Sequence, residues 1–233
     1  MMQDHYVIRV AIAGTGRMGQ AIAASLEQQE DLELAGLWGR GDDLDALVAS
    51  SDVVIDFSLP AGTRQVLDSV VRQGKPLVCG VSGLDDGLMD RLDRAASTVP
   101  VVYDRNMSLG VAVLERSVRE AAASLGIDFS VAISEVHHIH KKDAPSGTAL
   151  KLGEAVAAAR GEEGTGSVEF SSERRGEVPG DHDVVMSSPT ERLSFAHSVT
   201  TRQVFADGAI RAARWVVRQH RGRYTMGDVL FEN

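Results

Sequence analysis

The sequence predicts an α/β protein: a doubly wound parallel sheet joined to a second, α+β unit. Three observations predict it. The first hundred residues alternate short apolar runs with helical patterns, the signature of a parallel sheet with helices on both faces. A Gly-x-Gly-x-x-Gly turn, Gly14-Thr15-Gly16-Arg17-Met18-Gly19, stands between the first apolar run and the first helical pattern. After Tyr103 the alternation stops, and amphipathic helices and half-buried strands take over.

Taken in order, Val7–Ala13 is a buried strand and residues 18–29 a helix carrying Ala21, Ile22, Ser25 and Leu26 on one face. Leu32–Trp38 and Val53–Phe57 are the next strands, the latter closed by Ser58-Leu59-Pro60. Residues 61–73 are helical, 76–79 a short strand, 84–96 helical and 99–103 a further strand. In the second part, Val111, Leu114, Val118, Ala121 and Leu125 lie at the spacing of one helix face. Residues 129–136 alternate as a strand packed on one side, and 149–160 form an Ala-rich helix. Segments 167–171, 192–198 and 200–205 read as strands, and 208–220 as a last helix. A crossing near Ala206–Gly208 lets that helix rejoin the first sheet. The expected division is therefore 1–107 with 208–233, and 108–207.

Composition narrows the function. Apolar residues make up 43% and charged residues 24%, the balance of a folded globular chain. Lys plus Arg number 24 against 33 Asp plus Glu, a net charge of −9, which speaks against a protein that holds nucleic acid through a broad basic face. A single cysteine, Cys79, excludes an intrachain disulfide and suits a reducing compartment. With no long apolar run and no secretory leader pattern at the N-terminus, the expectation is a cytoplasmic protein without a membrane partner.

The glycine turn has the context that dinucleotide binding requires, a strand before it and a helix after it. Glycine lets the backbone turn tightly and approach a pyrophosphate, and the helix N-terminus supplies N–H donors. These features make the first unit Rossmann-like. The end of the second strand lacks the usual ribose-binding acid and has Trp38-Gly39-Arg40 instead. NADH and NADPH both fit, and Arg40, suited to a 2′-phosphate, tilts the balance towards NADPH. Trp38 either stacks on adenine or caps the core. Gly80-Val81-Ser82-Gly83 follows the fourth strand, where loops line the ligand crevice of such sheets.

The strongest chemical signal is Glu135-Val136-His137-His138-Ile139-His140-Lys141-Lys142-Asp143-Ala144-Pro145-Ser146-Gly147-Thr148. Three His and two Lys crowd into six residues of an acidic chain. A new helix starts directly afterwards, with Ser146 as its cap. N–H groups at Gly147 and Thr148 make an anion site, while His and Lys supply protons and charge. This suits a small polyanionic substrate that must be protonated. Metal binding is not expected, because the His spacing splits the rings between two strand faces and no nearby Cys completes a set. A hydrolase nucleophile at Ser146 lacks its Gly-x-Ser-x-Gly elbow.

The run from Glu135 to Ala149 resembles the signature of the 4-hydroxy-tetrahydrodipicolinate reductase (dihydrodipicolinate reductase) family. Gly16–Gly19, Asp56-Phe57-Ser58, Gly80–Gly83, Asn106-Met107-Ser108-Leu109-Gly110 and Phe205–Ala209 support the likeness and follow the family's order along nearly the whole chain. The resemblance implies a dinucleotide-binding domain made from both chain ends, a central substrate-binding and oligomerisation domain, and a homotetramer. It implies reduction of a cyclic dicarboxylate imine by NADPH or NADH in lysine biosynthesis. By motif position it makes His137 the proton donor/acceptor and Lys141 a second proton donor. His138, Gly147, Thr148 and Arg202 take substrate-contact positions. Gly14, Thr15, Gly16, Arg17, Met18, Gly80, Val81, Ser82, Asp104, Arg105, Asn106 and Met107 take cofactor-contact positions.

The chain departs from the family pattern in four places. Its glycine loop is one residue shorter than the commoner form, and the acid after the second strand is missing. Arg105 stands where a small residue or proline is usual. The stretch Val178–Asp183 reads as shortened, with loss of strand residues from the central sheet. Two other readings remain: a different two-domain nicotinamide dehydrogenase acting on a small oxo or imino acid, and a non-catalytic dinucleotide-binding sensor.

Overall fold

The computed structural model describes residues 6–231, which divide into two compact units. The first holds the described residues up to Ser108 and those from Gln203 onward; the second runs from Leu109 to Arg202. The chain therefore returns to the first unit at Gln203, five residues before the crossing expected at 208. The physical reason is a helix: residues 203–205, expected within a strand from Thr200, are the first turn of a helix over Gln203–Val216.

The first unit is a six-stranded, wholly parallel sheet. In chain order its elements are β1 (Ile8–Ala13), α1 (Arg17–Leu26), β2 (Leu32–Trp38), α2 (Leu44–Ala49), β3 (Val53–Asp56), α3 (Pro60–Gln73), β4 (Leu77–Cys79), α4 (Asp86–Ala96) and β5 (Pro100–Tyr103). The spatial order is β2-β1-β3-β4-β5-β10, where β10 is Gly222–Tyr224 near the chain end. One face carries Ala11, Val54, Leu77 and Val101, packed with Val48 of α2, Val66 and Val70 of α3, and Leu92 of α4. The other is covered by α1 and by α7 (Gln203–Val216), which supply Ile22, Leu26, Ile210 and Val216. Local chemistry sets the helix ends. Pro60 opens α3 at a position that needs no N–H, Gly74 closes it at φ +65, and the Asp85 carboxylate caps α4 at the Leu88 N–H.

Three short elements of this unit escaped the sequence reading: α2, β10 and α8 (Met226–Phe231). The helices span six residues each and the strand three, too few to show a period.

The second unit is a four-stranded mixed sheet under two helices. α5 (Leu109–Leu125) leads into β6 (Ser130–His137), α6 (Gly147–Arg160), β7 (Glu169–Arg174), β8 (Asp181–Ser187) and β9 (Arg192–Ser198). The order is β7-β6-β8-β9, with β7 parallel to β6 and the other pairs antiparallel. Leu114 and Val118 of α5, and Leu152 and Val156 of α6, close over Val131, Ile133, Val184 and Met186. Of the stretch Val178–Asp183, read as shortened against the family pattern, Asp181–Asp183 are paired strand residues. β8 starts at Asp181 and pairs along its length with both β6 and β9. Its alternation of buried His182, Val184 and Met186 with more exposed Asp183 and Val185 is that of a strand with one covered face.

Candidate active site

In the first unit the strand order reverses between β1 and β3, the switch point at which such sheets bind ligands beyond their carboxyl ends. The loops leaving these two strands meet there: the Phe57 N–H donates to Ala13 O, and Gly14 sits at φ +116. A Cβ on Gly14 would lie 2.7 Å from Phe57 O. One on Gly19 would lie 1.8 Å from Gly14 O, so the third glycine lets α1 press against the turn. One on Gly16 would meet nothing within 4 Å, and no side chain caps α1, whose first turn holds no acid. The three glycines thus turn, leave open space and pack, which is the division of labour a pyrophosphate cradle needs. These residues fit a dinucleotide. Thr15, Arg17 and Arg40 are exposed, and Met18 is half-buried.

Around this loop the other expected cofactor positions differ in character. A Cβ on Gly39 would lie 3.0 Å from Thr15 Cγ2. Trp38 is buried in the core cluster and its indole N–H donates to Asp42 O, so it caps the core. The Asp42 carboxylate accepts from the Gly39 N–H and closes the turn on which Arg40 stands. Ser82 is exposed, whereas the Val81 side chain belongs to the core. Gly80 lies under the Phe57 ring, where a Cβ would come within 2.4 Å. Asp104 is buried: its carboxylate accepts from the Asn106 and Met226 N–H groups and so ties the β5 end to α8. Met107 is buried too, which leaves Arg105 as the exposed side chain of the 104–107 segment and Asn106 half-buried, its amide oxygen accepting from the Ser108 N–H. Cys79 is wholly buried, and burial pushes its thiol well above the usual range. Phe57 and Ser58 were not singled out as site residues, although their place after β3 is the mark of a crevice loop.

In the second unit β6 delivers the His-Lys run. Its inward face carries Val131, Ile133, Glu135 and His137 in alternation. His137 ends the strand, and its Nδ1 faces Glu135 Oε2 within hydrogen-bonding distance. Burial lowers the pKa of His137, Glu135 raises it, and the charges of Lys141 and Arg174 lower it further. Burial alone would raise the pKa of Glu135, but hydrogen bonds from Arg174, His137 and Ser172 bring it below its ordinary value. An ionised carboxylate only accepts, so Nδ1 carries the proton and Nε2 is left to exchange one. Gly180 lies beside that atom: a Cβ there would stand 2.9 Å from His137 Nε2.

The remaining positions expected to contact substrate gather in the same unit. Lys141 Nζ pairs with Asp143 at 2.9 Å. His138 is half-buried, and burial and the Arg202 charge lower its pKa, so the structure brings these two together. Ser146 caps α6, its Oγ accepting from the Ala149 N–H at 3.2 Å, and Gly147 and Thr148 form the first turn, which holds no acid. His182 of β8 lies 3.2 Å from Ser146 Oγ, its ring edge-on to His137 at 5.1 Å between centroids. Burial, then the neighbouring His137, lowers the His182 pKa to about 3. Among the described residues no group of three or more His, Cys, Asp or Glu is placed to hold a metal.

Comparison with known proteins decides between the dehydrogenase readings. The model of the dihydrodipicolinate reductase N-terminus matches residues 8–107, and that of the C-terminus residues 110–230. The chain belongs to the dihydrodipicolinate reductase family. A 4-hydroxy-tetrahydrodipicolinate reductase of Zymomonas mobilis is 41% identical over 242 residues, covering 94% of this chain and 95% of the relative. Another, from Halorhodospira halophila, is 43% identical over 206 residues, covering 82% and 77%. A dipicolinate-bound dihydrodipicolinate reductase from Paenisporosarcina sp. TG-14 shares the fold with a TM-score of 0.80 at 22% identity, over 97% of this chain and 99% of the other. A diaminopimelate dehydrogenase of C. glutamicum has a TM-score of 0.60 at 13% identity over 97% and 96%, a likeness of fold alone. Membership makes the chain an NAD(P)H-dependent oxidoreductase. Among the described residues no helix is long and apolar enough to cross a membrane.

Proposed function

We propose that the chain reduces 4-hydroxy-2,3,4,5-tetrahydrodipicolinate to 2,3,4,5-tetrahydrodipicolinate, with His137 as the principal acid. In net terms the substrate gains a hydride and a proton and loses its hydroxyl as water. When bound, the nicotinamide cofactor supplies the hydride that ring carbon C4 receives. Gly14–Met18, Gly80–Ser82 and the 104–107 segment would hold the cofactor. Charge arriving at C4 spreads towards the ring nitrogen and C3, and an acid must quench it. His137 Nε2 is the atom prepared for this, since Nδ1 is committed to Glu135. The Lys141 ammonium adds positive charge to the same loop. The α6 N-terminus at Gly147–Thr148 takes one substrate carboxylate, and His138 with Arg202 the other.

The observation that carries this reading is the pairing of an oriented imidazole with an acid-free helix N-terminus in one unit. A coupled assay tests it. The substrate is generated in situ from pyruvate and aspartate semialdehyde by the preceding synthase, and reduced-nicotinamide absorbance is followed with NADPH and NADH in parallel. Oxidation of either supports the reading; none, from folded protein that binds cofactor, sinks it.

Two finer statements belong to the same proposal. NADPH is the preferred cofactor, because exposed Arg40 stands at the β2 end where no acid offers itself to the ribose. The protein assembles as a cytoplasmic homotetramer through the open face of the four-stranded sheet. That face presents Ala132, Ser134, Asp183, Ser194 and Ala196, all exposed or half-buried and mostly small, so a second sheet could approach closely.

A further inference from the structure

We propose that Glu135 and Arg174 are a positioning pair that aims the His137 acid and fixes the loop carrying Lys141. The inference rests on the proton-donor role proposed for His137. Glu135 is an unusual group: its carboxylate is wholly shielded from solvent at the floor of a cationic site. Each of its oxygens is used. Oε2 accepts from His137 Nδ1 and from Arg174 Nη1 at 2.9 Å, and Oε1 accepts from the Ser146 N–H at 3.2 Å. One buried carboxylate therefore joins the proposed acid to the start of the anion-binding helix.

Arg174 extends the connection. It stands at the end of β7, in register with His137 across the parallel pair. Besides Glu135, its guanidinium donates to Lys141 O at 3.2 Å, to Asp143 O, and to Glu173 O at 2.7 Å. Two of these bonds hold the turn on which Lys141 sits. A buried ion pair is weak evidence for stability, since apolar replacements of similar volume often do as well. Here the geometry has a specific consequence that an apolar pair would lack. It selects the imidazole tautomer with the proton on Nδ1, and Gly180, where a Cβ would stand 2.9 Å from Nε2, puts no side chain against that atom. Glu135 and Arg174 touch neither the substrate nor the cofactor in this account; they act through His137 and the loop.

The charged and titratable groups facing His137 come from each element packed around it: Glu135 on its own strand, Arg174 on β7, His182 on β8, and Lys141 in the loop. His182 is neutral near pH 7. Removing the Glu135 charge withdraws what favours imidazolium, whereas removing the Arg174 charge withdraws what opposes it. The two variants therefore move the His137 ionisation in opposite directions, which loss of packing alone would not do.

The test compares Glu135→Gln, Glu135→Asp, Arg174→Gln and His137→Gln in full-length protein. It measures kcat, KM, the pH profile of kcat and dinucleotide binding by fluorescence. Glu135→Gln is expected to lower kcat about 10²-fold, within the range of a misplaced acid, with cofactor affinity unchanged and the His137 limb moved to lower pH. Arg174→Gln moves that limb to higher pH, and Glu135→Asp restores its direction with part of the rate. A near-normal kcat and unmoved profile in Glu135→Gln, beside an inactive His137→Gln, overturns the positioning pair and leaves the acid in place. Full turnover in His137→Gln overturns the acid assignment itself. If the Gln variants fail to fold, nitrogen NMR of His137 in the unaltered protein decides: a neutral ring protonated on Nδ1 supports the pair, and one protonated on Nε2 overturns it.

Discussion

His137 and His182 are two imidazoles in edge contact with different surroundings. His137 has an ionised partner on Nδ1 and so retains a proton-exchanging atom; His182 has a hydroxyl partner and a covered ring, and burial keeps it neutral. Replacing His137 by Gln should lower kcat by about 10²–10⁴ with little change in dinucleotide binding, measured by steady-state kinetics and fluorescence titration. His182 gives a pH signature instead. Its folded pKa of about 3 lies below the unfolded value of 6.5, so between those limits the unfolded chain binds more protons and stability falls as pH falls. His182→Gln should flatten this part of the stability profile. Urea melts at neutral and mildly acid pH check it, and equal slopes for both proteins would sink the assignment.

At the scale of elements, close approach matters more than propensity. Gly to Ala inside a helix ordinarily stabilises, by roughly 0.5–1 kcal/mol. At Gly208 of α7 the sign should reverse, because the new Cβ would stand 1.7 Å from Met107 O and the helix would have to shift. We expect Gly208→Ala to cost about 1–3 kcal/mol, in the range of overpacked cores. Gly87→Ala in α4 is the control: its Cβ would meet only Asp85 Oδ1, at 3.5 Å, and the change should be neutral or slightly stabilising. Thermal melts of the two variants separate them. The same reasoning shows why the Phe205–Ala209 segment has a glycine: α7 lies directly against the end of the Asn106–Met107 turn.

For the whole molecule, cofactor choice and assembly each have a direct test. Arg40→Ala should raise KM for NADPH while leaving that for NADH near its original value, so the ratio of kcat/KM reports what this side chain does. If the ratio is unmoved, Arg40 is a solvated loop residue. Ala196→Glu places a carboxylate opposite Asp183 on the open sheet face and should dissociate the assembly in sedimentation experiments, with each subunit still folded. A monomeric parent protein would exclude assembly through this face.

The Gly14–Gly19 turn, the alternation of strands and helices, and the Glu135–Thr148 run were legible because each is local: a period, a backbone requirement or a cluster within a few residues. Glu135 was legible in part, two residues from His137 and therefore on the same strand face. The pattern of the sequence, with the family resemblance, also placed the last helix back on the first sheet, with the crossing five residues late. Arg174 and His182 carried no local sign, standing 37 and 45 residues beyond His137 in the chain. Only the pairing of β7 and β8 on either side of β6 brought them to His137. Likewise the strand at Asp181–Ser187 was not assigned from the sequence, and only its ladders with β6 and β9 mark it as one. The tertiary structure decided these points because strand partnership is a long-range choice, made by the burial of one sheet face rather than by any residue's own preference.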